Sequence, residues 1–388
     1  MRTVPSRLVA AKCFYFCWFA AIGAFLPFIG LYYRQTGLDL SQIGILVALP
    51  GLLQLVSAPI WGLLADALRL RRALLPLAIF GTLLPVLLIG RGAGFGQLLV
   101  LVAVQSLLAA PVIPLADSAT LTLLGNNRER YGAQRLWGAA GWGASTVTIG
   151  WLVGYFGLSV IFLGYLVLAL LAAVSALALP RTPLPKVELR SAGRTLLRDP
   201  RWISLLGCTL LIGCCAMTIS SFLSLYLQDL GASGAQIGLA YTIAGASELP
   251  LMALSPLLLR RWGARRLLVC SGLCYALRML IYISAPTPVW ALAAQLLHGP
   301  CFGLLWTAGV VEAHRLAPPG LEATAQSLFG MAVSGVASAI ASAVGGRIYD
   351  SFGAAALFGA GASVALLGAL GLLAQLSTHV EHRAEQPR

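Results

Sequence analysis

The amino-acid sequence predicts an all-α membrane protein with twelve transmembrane helices in two six-helix, pseudo-symmetric halves. Of the 388 residues, 59% are hydrophobic and only 10% are charged, whereas soluble domains carry roughly 25% charged residues. Apolar runs of about 20 residues, the length that crosses a bilayer, fill nearly the whole chain. A third observation is an internal repeat of about half the chain. The composition excludes an ordinary soluble enzyme.

The repeat consists of short patterns that return about 194 residues later. The matching stretches are Leu31-Tyr32 with Leu225-Tyr226, Gly37 with Gly231, Gln42-Ile43-Gly44 with Gln236-Ile237-Gly238, Ala133-Gln134-x-Leu136-x-Gly138 with Ala325-Gln326-x-Leu328-x-Gly330, and Phe156-Gly157 with Phe352-Gly353. A parallel repeat in so apolar a chain is typical of membrane transporters with two related halves. In such proteins the seam between the halves is where we expect a substrate.

Glycine, proline and charged residues divide the chain into twelve predicted spans, numbered in chain order. Their extents are 8–33, 42–65, 73–90, 96–124, 136–156, 158–179, 202–228, 236–259, 267–285, 288–314, 323–347 and 353–376. Span 1 is too long for a signal-peptide core and lacks a small-residue cleavage site, so we expect it to remain as a membrane helix.

The predicted spans define the domain organisation. The two halves are residues 1–180 and 201–376. Between them lies a polar, basic connector, 181–200, which we interpret as a cytoplasmic linker. Residues 377–388 form a polar cytoplasmic tail.

The net charge of +13 indicates topology rather than affinity for nucleic acid. All but four of the 26 Lys+Arg residues lie at the termini or in alternate loops, which is the positive-inside pattern of cytoplasmic loops. Arg34, Arg91 and Arg347 fall on the opposite side, and Arg278 lies within span 9. An even number of spans puts both termini on one side. We therefore expect a multi-pass protein of the cytoplasmic (inner) membrane with both termini in the cytoplasm.

A short motif follows span 2. It contains Gly62, Asp66, Arg71 and Arg72 in the stretch GLLADALRLRR. The stretch resembles the G-x-L-A-D-R-x-G-R-R motif of the major facilitator superfamily, although Arg69 stands where the second glycine is usual.

The second copy of this loop follows span 8. It carries Gly263, Arg265 and Arg266 but has Arg260 at the acidic position. A glycine-permitted turn, a carboxylate near a helix end and a cluster of arginines can form an ion-paired latch that holds one gating state. A positively charged anchor loop without a gating role explains the same residues equally well.

Ionisable side chains inside a span are costly and therefore mark candidate functional sites. The candidates are Asp117 in span 4, Arg135 at the start of span 5, Glu248 in span 8, Arg278 in span 9, and His298 and Glu312 in span 10. Glu312 and His314 lie near the cytoplasmic end of their span, where we expect solvation to explain them. Pro300 predicts an interruption of span 10 beside His298.

In the first half these residues resemble the lactose-permease and phenylpropionate-permease branch of the major facilitator superfamily. Asp117 and Arg135 have the separation of an acid–arginine pair in the lactose permease, and Trp142 follows at the position of a tryptophan. The resemblance implies that the acid and the arginine bind the solute and that the tryptophan stacks on its ring. Packing of Trp142 against lipid or helix is an equally good explanation.

In the second half the stretches Ser247-Glu248-Leu249, Ala276-Leu277-Arg278 and Gln295-x-x-His298 match the same relatives in order and spacing. The resemblance implies that Glu248, Arg278 and His298 bind substrate and couple it to a proton, with Gln295 in the substrate-binding set. A buried carboxylate can exchange a proton as an arginine approaches or leaves, and histidine titrates near neutral pH. A static Glu248–Arg278 pair that only holds two helices together is the structural alternative.

The chain departs from the lactose-permease pattern at three positions. Cys301 replaces the proton-carrying glutamate of span 10, and the span-7 aspartate and span-11 lysine are missing, with Ser334 near the lysine position. With these departures the resemblance does not identify the proton route, and it does not decide between a sugar-like and an aromatic-acid-like solute.

The sequence thus favours a secondary active transporter that works by alternating access as a proton symporter. An efflux pump that exchanges protons for a drug-like or cationic compound is the alternative, and a non-transport membrane enzyme or receptor is a third interpretation. No nucleotide-binding glycine pattern, metal-ligand spacing or nucleophile elbow is visible, so we expect a non-enzyme without cofactor or metal. The expected partners are a small-molecule solute, protons and membrane lipid, with no nucleic acid, and the expected state is a monomer.

Overall fold

Apolar helices separated by glycine turns make up the fold. The computed structural model describes residues 4–67, 74–92, 94–125, 131–180, 196, 198–318 and 321–384. About 90% of these described residues are helical, and none of them is in a strand. The all-α class predicted from the sequence is confirmed.

Up to residue 180 the described residues form α1 (Val4–Gln35), α2 (Leu40–Ala67), α3 (Leu74–Ile89), α4 (Phe95–Ala109), α5 (Val112–Leu124), α6 (Tyr131–Phe156) and α7 (Val160–Ala176). From residue 198 they form α8 (Pro200–Asp229), α9 (Gly234–Trp262), α10 (Ala264–Ser284), α11 (Pro288–Ala293), a 3-10 turn (Ala294–Leu297), a π-helical turn (Gly299–Gly303), α12 (Leu304–Leu316), α13 (Glu322–Gly330), a second π-helical turn (Met331–Val336) and α14 (Ala337–Ala384). The last helix bends at Gly353, whose backbone is not helical.

Seven described segments are long and apolar enough to cross a membrane. They are Arg7–Gln35, Phe95–Leu124, Pro200–Asp229, Gly234–Trp262, Ala264–Ser284, Pro288–Leu316 and Thr324–Gln375. Three shorter apolar helices cover Leu40–Leu53, Leu74–Ile89 and Val160–Ala176. Length and composition of the described helices therefore agree with a multi-pass membrane protein.

The repeated glycines serve the same purpose in both copies of the repeat. Gly37 and Gly231 have φ angles of 89° and 83°, and Gly157 and Gly353 have φ angles of 75° and 79°. Residues with a side chain rarely adopt this left-handed backbone, so glycine is needed where one helix turns into the next. The turn chemistry explains why these positions recur along the chain.

The repeated glutamines cap the helices that follow those turns. Before α2, the backbone N–H of Gln42 donates to Asp39 Oδ1 at 2.7 Å, and the N–H of Asp39 donates to Gln42 Oε1 at 3.3 Å. Before α9, Ser233 and Gln236 make the same reciprocal pair at 3.3 and 2.9 Å. Both pairs are capping boxes, which satisfy backbone donors that a helix start leaves free.

An aromatic contact is also duplicated between the copies. The rings of Tyr32 and Phe162 meet edge-to-face with centroids 4.7 Å apart and planes at 78°. The rings of Tyr226 and Phe358 meet with centroids 4.8 Å apart and planes at 78°. The repeat therefore extends from the turns into the packing of buried side chains.

The contacts between residues divide the chain into two compact units. Unit 1 contains Met1–Lys186 and Leu227–Thr242, and unit 2 contains Val187–Tyr226 and Ile243–Arg388. The second segment of unit 1 covers the end of α8 and the start of α9.

Small residues hold that second segment of unit 1 against α6. A Cβ on Gly238 would overlap the carbonyl oxygen of Thr146, and a Cβ on Gly150 would overlap the carbonyl oxygen of Gly234. The hydroxyl oxygens of Thr146 and Thr242 lie 2.8 Å apart, within hydrogen-bond distance. Close backbone approach at small residues is a common way for membrane helices to pack.

Candidate functional site

Unit 1 gathers the predicted acid and arginine around one tyrosine of α1. Tyr15 Oη donates to Asp117 Oδ1 at 2.7 Å, and the guanidinium carbon of Arg135 lies 5.6 Å from the Tyr15 ring centroid. The same guanidinium lies 4.1 Å from the ring centroid of Phe19, a cation–π contact. Within the described residues, Asp117 and Arg135 thus share a cluster through Tyr15 and do not form an ion pair.

Two glycines of α6 bring Arg135 to that cluster. A Cβ on Gly141 would overlap the carbonyl oxygen of Phe16, so the backbones of α6 and α1 are in direct contact. A Cβ on Gly138 would come within 2.9 Å of the Phe19 ring. The glycine spacing after Arg135 therefore lets α6 pack on α1 and puts the guanidinium over the aromatic side chains.

Trp142 is half-buried one turn beyond Gly138. Its ring meets the edge of Tyr241 with centroids 6.4 Å apart and planes at 67°. Tyr241 belongs to the second segment of unit 1. The structure thus gives Trp142 an aromatic partner, and its solute-stacking role stays a prediction.

Unit 2 brings together three of the predicted residues in a hydrogen-bonded series. His298 Nε2 lies 2.8 Å from Glu248 Oε1, and His298 Nδ1 lies 2.9 Å from a terminal guanidinium nitrogen of Arg278. We name this series the relay. The sequence placed Glu248 beside Arg278, but in the part of the chain that the structure describes these two side chains make no direct ion pair, because the imidazole lies between them.

The relay defines the protonation state of its histidine. A guanidinium can only donate hydrogen bonds, so Nδ1 of His298 must accept from Arg278. The ring proton is then on Nε2 and is donated to Glu248. His298 is neutral in this arrangement, and a second ring proton would have to replace the contact with Arg278.

Two buried polar side chains, Tyr282 and Gln295, hold Arg278 in position. Its Nε donates to Tyr282 Oη at 2.9 Å, and its other terminal nitrogen donates to Gln295 Oε1. Gln295 Nε2 in turn lies 2.8 Å from Tyr282 Oη and donates to the carbonyl oxygen of Ala291 at 2.9 Å. Arg278 is 1% exposed and Gln295 is fully buried. Gln295 thus contacts protein groups here, and its predicted contact with solute would require these bonds to open.

The interruption predicted at Pro300 is confirmed. The chain changes from the 3-10 turn Ala294–Leu297 to the π-helical turn Gly299–Gly303, with His298 at the junction. Changes of winding of this kind are frequent at functional sites, since they redirect a side chain out of the regular helical series.

Close contact with α9 places Glu248 next to this junction. A Cβ on Gly299 would overlap the carbonyl oxygen of Ser247, and the Gly299 N–H donates to Ser247 Oγ at 2.8 Å. The side chains of Glu248 and His298 remain 21% and 24% exposed. The relay is therefore accessible at its Glu248 end and sealed at its Arg278 end.

The first predicted gating loop is only partly within the described structure. Gly62 and Asp66 lie in the last turns of α2, and the side chain of Asp66 is outside the described part. Arg71 and Arg72 lie outside the described residues. In the second copy, Gly263 precedes α10 with a φ of 77°, which requires glycine.

A buried ion pair lies directly after the second predicted gating loop, between α10 and α12. Arg265 Nε lies 2.6 Å from Glu312 Oε1, and Glu312 is 2% exposed. Arg315 contacts the same oxygen at 2.6 Å from an exposed position, and Arg266 is exposed. The expectation that solvation explains Glu312 is therefore wrong, because the carboxylate is buried by α10 and α12 packing together and is paired with arginine instead.

This shared oxygen allows a matched test of stability. We expect Arg265→Gln to lower the free energy of unfolding by about 3–5 kcal/mol, the usual cost of breaking a buried ion pair. We expect Arg315→Gln to cost at most about 1 kcal/mol, because the Arg315 side chain is 60% exposed. Thermal unfolding of the purified variants in detergent measures both. Equal losses of unfolding free energy in the two variants would show that burial does not determine how much each arginine contributes to stability.

Tyr15 and Tyr282 are the site residues that sequence reasoning missed. Tyr282 follows Arg278 by one helical turn, and that spacing could have identified it. Tyr15 meets Asp117 across 102 positions of sequence, and nothing local distinguishes it from the other aromatic residues of α1.

Known proteins are similar to this chain in sequence. The family model described as "MFS_1 like family" matches residues 8–360. The "Maltose permease" of Geobacillus stearothermophilus is 30% identical over 362 residues, which is 91% of this chain and 90% of that protein. The "Probable 3-phenylpropionic acid transporter" of Escherichia coli (strain K12) is 29% identical over 296 residues, which is 73% of this chain and 76% of that protein.

Solved structures share the fold. The crystal structure of the nucleoside transporter NupG superposes with a TM-score of 0.83 at 17% identity, over 95% of this chain and 99% of that chain. The peptide transporter POT in complex with sulfate gives a TM-score of 0.75 at 16% identity, over 96% and 94% of the two chains. The match of the family model over nearly the whole chain, together with these relatives, shows that the chain belongs to the MFS_1-like family of membrane transporters.

Proposed function

We propose that this protein is a proton-coupled symporter of a small organic solute. It would work by alternating access of two six-helix halves in the cytoplasmic membrane, with both termini in the cytoplasm. The relay of Glu248, His298 and Arg278 is the observation that carries the proposal. Ionisable groups this deep in apolar helices are costly and are typical of proton pathways in transporters. The names of the relatives, maltose permease and 3-phenylpropionic acid transporter, support transport of a small organic solute.

Glu248 is the proton-binding end of the relay in this mechanism. It is accessible, whereas the imidazole Nδ1 is occupied by Arg278. A carboxylate only accepts hydrogen bonds, but a protonated carboxyl group also donates one. Protonated Glu248 can therefore donate to an oxygen of the solute, which the carboxylate cannot do. Proton and solute then favour each other's binding by the same free energy, which is the linkage that symport needs.

The remaining candidates position or bind the solute. Arg278 keeps His298 neutral and directs the proton to Glu248. Asp117, Arg135 and Trp142 would contact the solute, as the family resemblance implies. The Arg265–Glu312 pair would act as the latch of the second gating loop, and unlike an exposed pair it has to be desolvated each time it forms.

A proton-flux assay in proteoliposomes tests the proposal. Maltose, uridine and 3-phenylpropionate are added outside, and solute uptake and external pH are recorded together. Symport carries protons inward with the solute and makes the medium more alkaline. Acidification on uptake would indicate proton antiport, the efflux alternative, and uptake with no pH change would contradict coupling. A protein that moves none of these compounds would contradict transport of this solute class.

A further inference from the structure

A column of aromatic rings extends from the relay histidine through the π-helical turn Gly299–Gly303 into α12. The rings of His298 and Phe302 are nearly parallel, with centroids 5.6 Å apart and planes at 5°. The rings of Phe302 and Trp306 follow at 5.9 Å and 19°. The three residues are spaced by one helical turn each, so they share one face of the helix. We name Phe302 and Trp306 the aromatic column.

The far end of the column is anchored in the core. Trp306 contacts Phe329 of α13 with ring centroids 6.0 Å apart. Phe329 is fully buried, and a Cβ on Gly309 would overlap its ring. Glycine at this position lets the Phe329 ring lie against α12 and support Trp306. The column is therefore held by protein at one end and by the relay histidine at the other.

The column lies on the same helix face as the relay histidine. Phe302 and Trp306 are half-buried, and they continue the face that carries His298, whose contact with Glu248 of α9 is partly exposed. A carboxylate of this kind faces water or protein rather than lipid. Large aromatic rings that stay half-exposed beside it are not needed to fill a core. Ring faces next to a hydrogen-bonding pair are instead the arrangement that binds a ring carrying an oxygen.

We propose that Phe302 and Trp306 determine substrate specificity, and that the solute carries a ring which stacks on them while one of its oxygens contacts Glu248. Sugars, nucleosides and aryl acids share this chemistry. The inference rests on the proposed function and specifies the substrate class of the same site. It adds Phe302 and Trp306 to Trp142 as predicted stacking residues.

The test compares ring-bearing and open-chain solutes in proteoliposomes of the full-length protein. Maltose, uridine and 3-phenylpropionate are paired with mannitol and hexanoate as open-chain counterparts. Phe302→Leu and Trp306→Leu keep an apolar side chain but remove the ring face. We expect KM for the transported ring solute to rise up to about tenfold, the effect of losing one aromatic contact. We expect kcat to change by less than about twofold, because the lost contact serves binding.

The controls separate a binding role from a structural one. Trp290→Leu removes an aromatic ring from the same segment at a position that is 59% exposed, and it should leave KM unchanged. Phe302→Tyr and Trp306→Phe keep a ring face and should restore most of the affinity. Thermal unfolding of each variant identifies any that fail to fold.

The possible results distinguish this inference from the proposed function. Unchanged KM in both leucine variants, or uptake of mannitol or hexanoate as efficient as that of the ring solutes, would overturn the inference and leave symport standing. Uptake of none of the five compounds would overturn the proposed function together with the inference.

Discussion

Replacing Glu248 with Gln is expected to abolish proton-driven accumulation of solute while sparing exchange of solute across the membrane. The amide has almost the same shape as the carboxylate, and its oxygen can still accept from His298 Nε2, so the relay geometry is kept. The amide cannot take up a proton. Counterflow of labelled solute, which needs no net proton movement, should therefore continue, while uptake driven by a proton gradient should stop at equilibrium.

Asp350→Asn is the matched control, since it neutralises an exposed carboxylate of α14, a helix that contributes no residue to the relay. It should accumulate solute like the unmodified protein. If the Glu248→Gln protein still accumulates solute against a gradient, Glu248 does not carry the coupled proton. Loss of both accumulation and exchange would instead assign Glu248 to solute binding alone.

Replacing Arg278 with Gln is expected to reduce stability and to free the relay histidine. Arg278 is 1% exposed, and its removal leaves His298 Nδ1 and Gln295 Oε1 without their donor. Each buried acceptor left unsatisfied costs about 1–3 kcal/mol, so we expect a loss of several kcal/mol in thermal unfolding. Lysine should restore little, because a point charge cannot replace a planar fork that reaches three partners.

The pH dependence of transport separates this effect from simple destabilisation. Without Arg278, Nδ1 of His298 is free to bind a proton, so the pH profile of uptake should gain a titration step. The step should disappear in the double variant with His298→Gln. Arg347→Gln serves as control, because Arg347 is exposed. It should change the free energy of unfolding by no more than about 0.5 kcal/mol and should leave the pH profile of uptake unchanged. An unchanged profile in Arg278→Gln would contradict the assignment of the histidine tautomer.

Features that depend on neighbouring residues in the chain were predictable. The turns at Gly37 and Gly231 need a backbone that only glycine adopts readily. Gln42 and Gln236 lie three residues after their capping partners, and each caps the helix that begins directly after its partner. Apolar runs of membrane-spanning length indicated the all-α class. Pro300 indicated the interrupted helix. The ionisable residues of the site could also be named, because charge inside an apolar run is visible without a structure.

Features that depend on how helices face each other were not predictable. The sequence by itself determined the helices, the repeat and the presence of Glu248, His298 and Arg278, since hydrophobicity, turn chemistry and charge act along the chain. Only the tertiary structure decided that the imidazole separates the acid from the arginine, that Tyr15 joins Asp117 to Arg135, and that Glu312 is buried against Arg265. The physical reason is that a helix which is apolar all round has no amphipathic face to determine its rotation. Glycine contacts and buried hydrogen bonds between distant residues therefore determine which side chains meet.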